Sequence, residues 1–174
     1  MSPVWHTPLT WQVDQLVTEA DLNSQLRDNL GFLKDPPTAF VSLDEERDYV
    51  TSSNSFVDVD RERLALSLTT AGGDLLVVFF GMVKNSARDG GGSFDVALDG
   101  SRIGKDDGLI GSVIVLTQWQ PVSFCALVRD LAAGQHNLHL QWKRSHGKGA
   151  IYLSAGADTS FADYHPQFWA REIS

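Results

Sequence analysis

The side chains of this sequence best equipped for chemistry are one cysteine, five histidines and a few groups of carboxylates. Cys125 lies in Val122-Ser123-Phe124-Cys125-Ala126-Leu127. A thiolate nucleophile needs a positioned base and an activating environment. No such signature flanks Cys125, and it reads as a small buried strand residue. His136 and His139 are three apart, so on a strand they point to opposite faces and cannot share a metal. His136 falls with Leu138, Leu140 and Trp142, and His139 with Asn137 and Gln141 toward solvent. His6, His146 and His165 lack local partners at metal-ligand spacing. Asp44-Glu45-Glu46 and Asp58-Val59-Asp60 supply the oxygen ligands that Ca²⁺ prefers, but without the glycine and distal glutamate of a calcium loop. They read as solvated loops, and Asp106-Asp107-Gly108 as a turn. Gly90-Gly91-Gly92 lacks the spaced glycine and Lys-Ser/Thr ending of a phosphate loop. Carboxylate-pair glycoside hydrolysis needs a cleft and a raised pKa, for which the sequence gives no sign. Lys143, Arg144 and Lys148 read as an exposed basic hairpin. The expectation is a protein with no catalytic residue, metal site or cofactor.

The elements that would position any site fall into two regions, an arm and helix over residues 1–37 and a run of strands over 38–174. The arm, Met1-Ser2-Pro3-Val4-Trp5-His6-Thr7-Pro8-Leu9-Thr10-Trp11, cannot build a core alone, and its aromatics need a surface to bury against. A partner chain is the preferred surface; the protein's own domain is the alternative. Thr18-Glu19-Ala20-Asp21 has the form of a helix start, with a capping hydroxyl and acids in the first turn. Leu22, Leu26, Leu30 and Leu33 then recur at spacings of four, four and three, a narrow stripe suited to a flat surface or a small bundle. Asn23, Gln25, Arg27 and Asp28 lie opposite. Gly31 weakens the last turn, and Asp35-Pro36-Pro37 ends the helix.

From Thr38 the period becomes two. Arg63–Thr69 alternates with its leucines inward, and Ser93–Leu98 alternates into the hairpin turn Asp99-Gly100. Leu75–Phe80 is a continuous apolar run and reads as a strand covered on both faces. One face would meet the core; the other would meet a neighbouring subunit or the interior of a single sandwich. Further strands are expected near 110–116, 121–129, 135–143, 149–155 and 166–173, and Asn85–Gly92 is expected to be the most mobile loop. Eight or more short strands with turn signals mean a sandwich or barrel.

Composition narrows the partners. The net charge of −8 disfavours nucleic acid, which needs a basic face. No apolar run approaches the roughly 20 residues of a membrane span, and no signal-peptide pattern opens the chain. A single cysteine allows no internal disulfide, which fits a cytoplasmic site of synthesis.

Two sets of residues carry a resemblance. Trp11, Val17-Thr18-Glu19-Ala20-Asp21-Leu22-Asn23, Leu26-Arg27-Asp28-Asn29-Leu30 and Leu33 resemble an N-terminal segment of bacteriophage virion proteins. Thr70-Ala71-Gly72-Gly73-Asp74, Val96-Ala97-Leu98-Asp99-Gly100, Asp106-Asp107-Gly108, Leu131–His136 and Gln167–Glu172 are similar to phage jelly rolls of the tumour-necrosis-factor/complement-C1q type. The resemblance implies an all-β jelly-roll sandwich with an N-terminal arm and one short α-helix, and a homotrimer without enzymatic activity. It places the apolar strand near a threefold axis, with Leu76, Val78 and Phe80 as trimer-interface candidates. Trp5, Leu9, Trp11, Leu22, Leu26, Leu30 and Leu33 would dock on capsid or tail subunits of the virion or on a neighbouring copy, as aromatic and leucine anchors do. The short chain with its own arm favours a capsid decoration or tail adaptor. A tail-tip head binding a host-surface glycan or protein is the second expectation, and a glycan-cleaving jelly roll the third.

Overall fold

The computed structural model describes residues 4–87, 90–114, 118–156 and 164–173, without the side chains of 112–114. Met1 to Pro3 of the arm, Arg88 and Asp89 of the glycine-rich segment, Val115 and Leu116 of the strand expected over 110–116, and Ser174 lie outside the described residues.

Thr18 caps the helix as its sequence predicts. Its hydroxyl accepts the Asp21 N–H at 3.2 Å, and the Asp21 carboxylate accepts the Thr18 N–H at 3.0 Å, a reciprocal capping box. The Thr18 hydroxyl, which also donates to the Asp21 carboxylate at 2.6 Å, and the Thr18 N–H together hold the Asp21 carboxyl below its ordinary pKa. The helix is not a regular α-helix. It runs as α1 (Glu19–Leu22), a π-helical turn (Asn23–Asp28) and α2 (Asn29–Lys34), and stops before Asp35-Pro36-Pro37.

Among the described residues twelve strands follow: β1 (Thr38–Ser42), β2 (Arg47–Thr51), β3 (Val57–Asp58), β4 (Ala65–Thr70), β5 (Gly73–Asn85), β6 (Gly90–Leu98), β7 (Ser101–Arg102), β8 (Ile110–Ile114), β9 (Gln120–Leu131), β10 (Gly134–His146), β11 (Ile151–Ala155) and β12 (Gln167–Glu172). All pair antiparallel. One sheet runs β1-β12-β5-β9, with β11 and β2 continuing beside the far half of β5. The other runs β4-β10-β6-β8, with short β3 and β7 at its edges. Among the principal strands the first pairs with the last, β4 with β10, β5 with β9 and β6 with β8. This is one long antiparallel ribbon rolled into two sheets, the jelly-roll sandwich.

The register shows where the core lies. Val41, Phe168, Phe79 and Phe124 form one inward row across the first sheet, and Ala39, Ala170, Val77 and Ala126 the next. Phe79 stacks on Phe94 of the opposite sheet at 6.1 Å, and Phe94 packs on Trp142. Leu64, Leu66 and Leu68 all face in, although Leu64 precedes β4. Each such side chain contributes about 1.5–3 kcal/mol on full burial.

Three expectations fail on long-range structure. Gly90, Gly91 and Gly92 belong to β6 instead of a loop, paired with β8 on one side and, from Gly91, with β10 on the other. A Cβ on Gly90 would lie 1.7 Å from the Asn85 amide, and one on Gly91 2.1 Å from the His146 ring, so the glycines serve close packing. Cys125 is exposed, because Val122 and Phe124 take the inward positions of β9 and alternation turns Cys125 outward. Ser93, Asp95 and Ala97, the outward set of β6, are buried as well, and Asp95 lies against the segment following β7, whose Gly104 N–H it accepts. Gly104 and Gly108 allow that segment to lie so close: a Cβ on Gly108, at φ +82°, would stand 2.5 Å from the Phe94 carbonyl oxygen.

Candidate assembly surfaces

Among the described residues the arm is hydrogen-bonded to its own helix. The Asn29 side chain accepts the His6 N–H at 2.7 Å and donates to the His6 carbonyl at 3.0 Å. Gln25 does the same for Leu9 N–H and the Thr7 carbonyl. The Trp5 ring lies 5.8 Å from that of Phe32, which is buried. Gln25, Asn29 and Phe32 recur at four and three, so one helical face clasps the arm as a strand partner would. Trp5 therefore has part of its surface within the chain, while Trp11 stays exposed. The sequence marked Gln25 only as polar and gave Asn29 no part; an amide spends both its donor and its acceptor on one peptide only when that peptide comes alongside.

This clasp leaves the leucine stripe outward. Leu22, Leu26, Leu30 and Leu33 are 47–63% exposed, and Leu9 and Trp11 are similarly open. Neither helical segment makes a substantial contact with any strand. Stripe and arm form an apolar surface on a short hairpin of extended arm and helix that the described residues do not cover.

A second apolar surface covers the outer face of the first sheet. Its rows read Thr38, Arg171, Leu76 and Leu127, then Phe40, Trp169, Val78 and Cys125, then Ser42, Gln167, Phe80 and Ser123. Phe40 is 58% exposed, and Phe80 and Leu127 are each 42% exposed. Leu76 and Val78 are half-buried, while Leu75, Val77 and Phe79 between them are wholly buried. The apolar run of β5 thus has one face in the core and the other on the surface. Contiguous apolar patches of this kind mark interaction sites.

The polar candidates are spent on structure. Asp58 accepts from Gln141 at 2.7 Å and Arg61 at 2.5 Å, and Asp60 accepts the Glu62 and Arg63 N–H groups. Burial works against ionisation of both carboxylates, but these hydrogen bonds outweigh it and lower both pKa values. The Lys143 ammonium bonds the Asp106 carbonyl and, with Arg102, flanks the Phe56 ring. Asp95, fully buried, accepts from Arg102 and from the Gly104 N–H. Arg63 reaches Glu45. His165 pairs with Asp44 at 3.0 Å. Among the described residues no three His, Cys, Asp or Glu side chains converge on a possible metal position.

His136 and His139 separate as expected. The His136 ring bonds the Asp99 carboxylate at 2.7 Å and the Ala132 carbonyl at 2.9 Å. Two acceptors at two ring nitrogens suit the doubly protonated imidazolium. Burial opposes that charge, yet Asp99 and Ala132 prevail and raise its pKa. Asp99, holding the Asn137 N–H and His136, is lowered correspondingly. His139 instead joins Asp58, Arg61, Asp99, Asn137 and Gln141 around a shallow hollow on the outer face of the second sheet.

No protein-family profile and no curated protein matches the chain. Solved structures with some likeness include infectious bursal disease virus, Gx strain, at 10% identity and TM-score 0.42, covering 80% of this chain and 37% of that one. A mutant VP2 protein of the same virus gives 11% identity and TM-score 0.41, over 79% of this chain and 36% of that one. Dimeric latent PorU from Porphyromonas gingivalis gives 12% and 0.32, over 75% of this chain and 13% of that one. The chain thus spans little more than a third of the virus chains it matches.

Proposed function

We propose that this protein is a non-enzymatic structural subunit of a bacteriophage virion, a homotrimeric jelly roll whose arm and helix attach it within the particle. The observation that supports this reading is the pairing of two uncovered apolar surfaces on one small chain. One is the outer sheet face bearing Leu76, Val78 and Phe80. The other is the hairpin of arm and helix bearing Trp5, Leu9, Trp11, Leu22, Leu26, Leu30 and Leu33. Elements with an open apolar face need another element to cover it, and assembly supplies that element. The resemblance of the arm-helix residues to phage virion proteins gives the setting, a capsid decoration or tail adaptor.

Light scattering on the full-length chain tests the trimer: a mass near three times 19.1 kDa is expected, and a stable monomer at tens of micromolar would remove it. Antibody raised against the β domain should label intact particles, and labelling confined to free protein would remove the virion role.

The hollow around His139 favours a second reading, a head that binds a host glycan. Its polar side chains can meet sugar hydroxyls on a floor that includes Ala97 and Gly100. Selective retention on a glycan array, lost in His139→Ala, would support this role.

A further inference from the structure

Among the described residues, β9 pairs with β5 on one flank and with no strand on the other, over its whole length. The edges offered by β1, β2, β4 and β8 are five or six residues long, and β9 has twelve. Hydrogen-bond parity says which groups the open flank presents. The Ile173 N–H donates to the Asp74 carbonyl, so Asp74, Leu76, Val78 and Phe80 turn their main-chain groups to β12. Those groups alternate sides along an antiparallel strand. Leu75, Val77, Phe79 and Gly81 therefore turn theirs to β9, where they meet Val128, Ala126, Phe124 and Val122. The N–H and C=O groups of Ser123, Cys125 and Leu127 are left pointing away from β5, at exposed residues.

Sheet edges are ordinarily blunted by proline, charge or a kink in the backbone. In β9 these devices stand only at the ends. Pro121, of the same parity as Cys125, has no N–H to present, and Arg129 and Asp130, the latter at φ +54°, close the other end. Between them Val122-Ser123-Phe124-Cys125-Ala126-Leu127-Val128 carries no charge. Such a row of alternating donors and acceptors is matched by an extended strand.

β9 itself has the sequence to be that strand. Laid antiparallel to a second copy with Cys125 opposite Cys125, it sets Ser123 opposite Leu127 and Pro121 opposite Arg129 on the outer surface. On the core side Val122 then faces Val128, and bulky Phe124 faces small Ala126. Moving the centre to Ser123 would put Pro121 opposite Cys125 and remove a hydrogen bond from the middle of the ladder. Moving it to Leu127 would bring Arg129 and Asp130, where the register with β5 breaks, opposite Cys125 and Phe124.

We infer that β9 pairs with β9 of a second copy across a twofold axis at Cys125, joining two sheets into one. The contact is isologous; it goes beyond the threefold assembly above and does not rest on it. One strand from each copy buries less than a standard interface, so the contact is weak between free chains and is best trapped.

Residues opposed in a hydrogen-bonded antiparallel pair lie about 5.5 Å apart at Cα, within disulfide reach. Under mild oxidation at millimolar concentration, the full-length chain should form a two-chain species through Cys125. In a Cys125→Ser background, Ser123→Cys and Leu127→Cys should link to each other when mixed, and neither should link to itself, because only the mixture sets two thiols opposite each other. Self-linking of either variant as fast as the mixture would mean collision without register and would overturn the inference. So would the absence of any link. Interchain linking of Leu9→Cys to Cys125 in preference to Cys125 with itself would overturn it in favour of an arm from a second copy as the added strand. A monomeric mass in light scattering at tens of micromolar removes the threefold reading and leaves this one standing.

Discussion

Asp99 carries two roles that a single substitution separates. With φ +50° it opens the turn Asp99-Gly100, whose second residue has φ +83°. Both positive values define the tight hairpin turn that favours Asn or Asp before Gly. Its carboxylate also pairs with His136. Asp99→Asn keeps the turn chemistry and removes the charge. The Asp99 contribution is complete above the unfolded carboxylate pKa, about 3.9, and is lost as pH falls through its lower folded value. The His136 contribution is complete below the unfolded imidazole pKa, about 6.5, and is lost as pH rises through its raised folded value. Thermal melts should therefore show the largest wild-type advantage between about pH 4 and 6.5. With Asp99 half exposed to solvent screening, about 1 kcal/mol, or some 2–4 °C, is the expected scale. An advantage constant from pH 3 to 9 would assign the effect to the turn. Gly100→Ala tests the turn alone. Nothing lies within 4 Å of a Cβ there, so its cost of about 1–2 kcal/mol is purely conformational.

At the scale of elements, the arm and helix should be separable from the sandwich. Deleting residues 1–36 is expected to leave a β domain with a cooperative melt. Its helix makes no substantial contact with the strands, and every core side chain except Phe32 lies beyond residue 37. Loss of the cooperative transition would show that the hairpin is part of the fold. Asn29→Ala removes both hydrogen bonds of the clasp to His6 and should raise proteolysis of the arm without moving the main melt. These elements were largely legible in the sequence because their signals are local. Thr18 and Asp21 cap within one turn, Pro36 and Pro37 stop a helix by their own rings, and the alternation of β4 and of Ser93–Leu98 in β6 needs no distant partner. What was not legible depended on contacts between residues far apart in the chain. Gly90–Gly92 read as a loop because nothing nearby announces the Asn85 and His146 side chains that crowd them. Cys125 read as buried because residue type was trusted over the parity set by Val122 and Phe124. Asp95 lies under a segment that only Gly104 and Gly108 permit. Asn29 shows its purpose only once His6 lies beside it. The candidate surface was half legible, since the stripe and the β5 run stand out, whereas Phe40, Trp169 and Leu127 join Val78 and Leu76 only through strand register.

For the whole molecule, the question is whether the outer sheet face does its work between chains, and adjacent residues of β5 can decide it. Val77 points into the core and is wholly buried; Val78 points outward and shares its row with Phe40, Trp169 and Cys125. A carboxylate at the first position would be a buried, unpaired charge, a loss of several kcal/mol that a domain of this size does not survive. The same carboxylate at the second meets water in a free chain and an apolar partner in an assembled one. Val77→Asp should thus abolish folding. Val78→Asp should preserve the β circular-dichroism signal while dropping the light-scattering mass from about three chains to one. If Val78→Asp instead unfolds the chain, the face supports the monomer fold itself. If it leaves the assembled mass unchanged, the copies meet elsewhere.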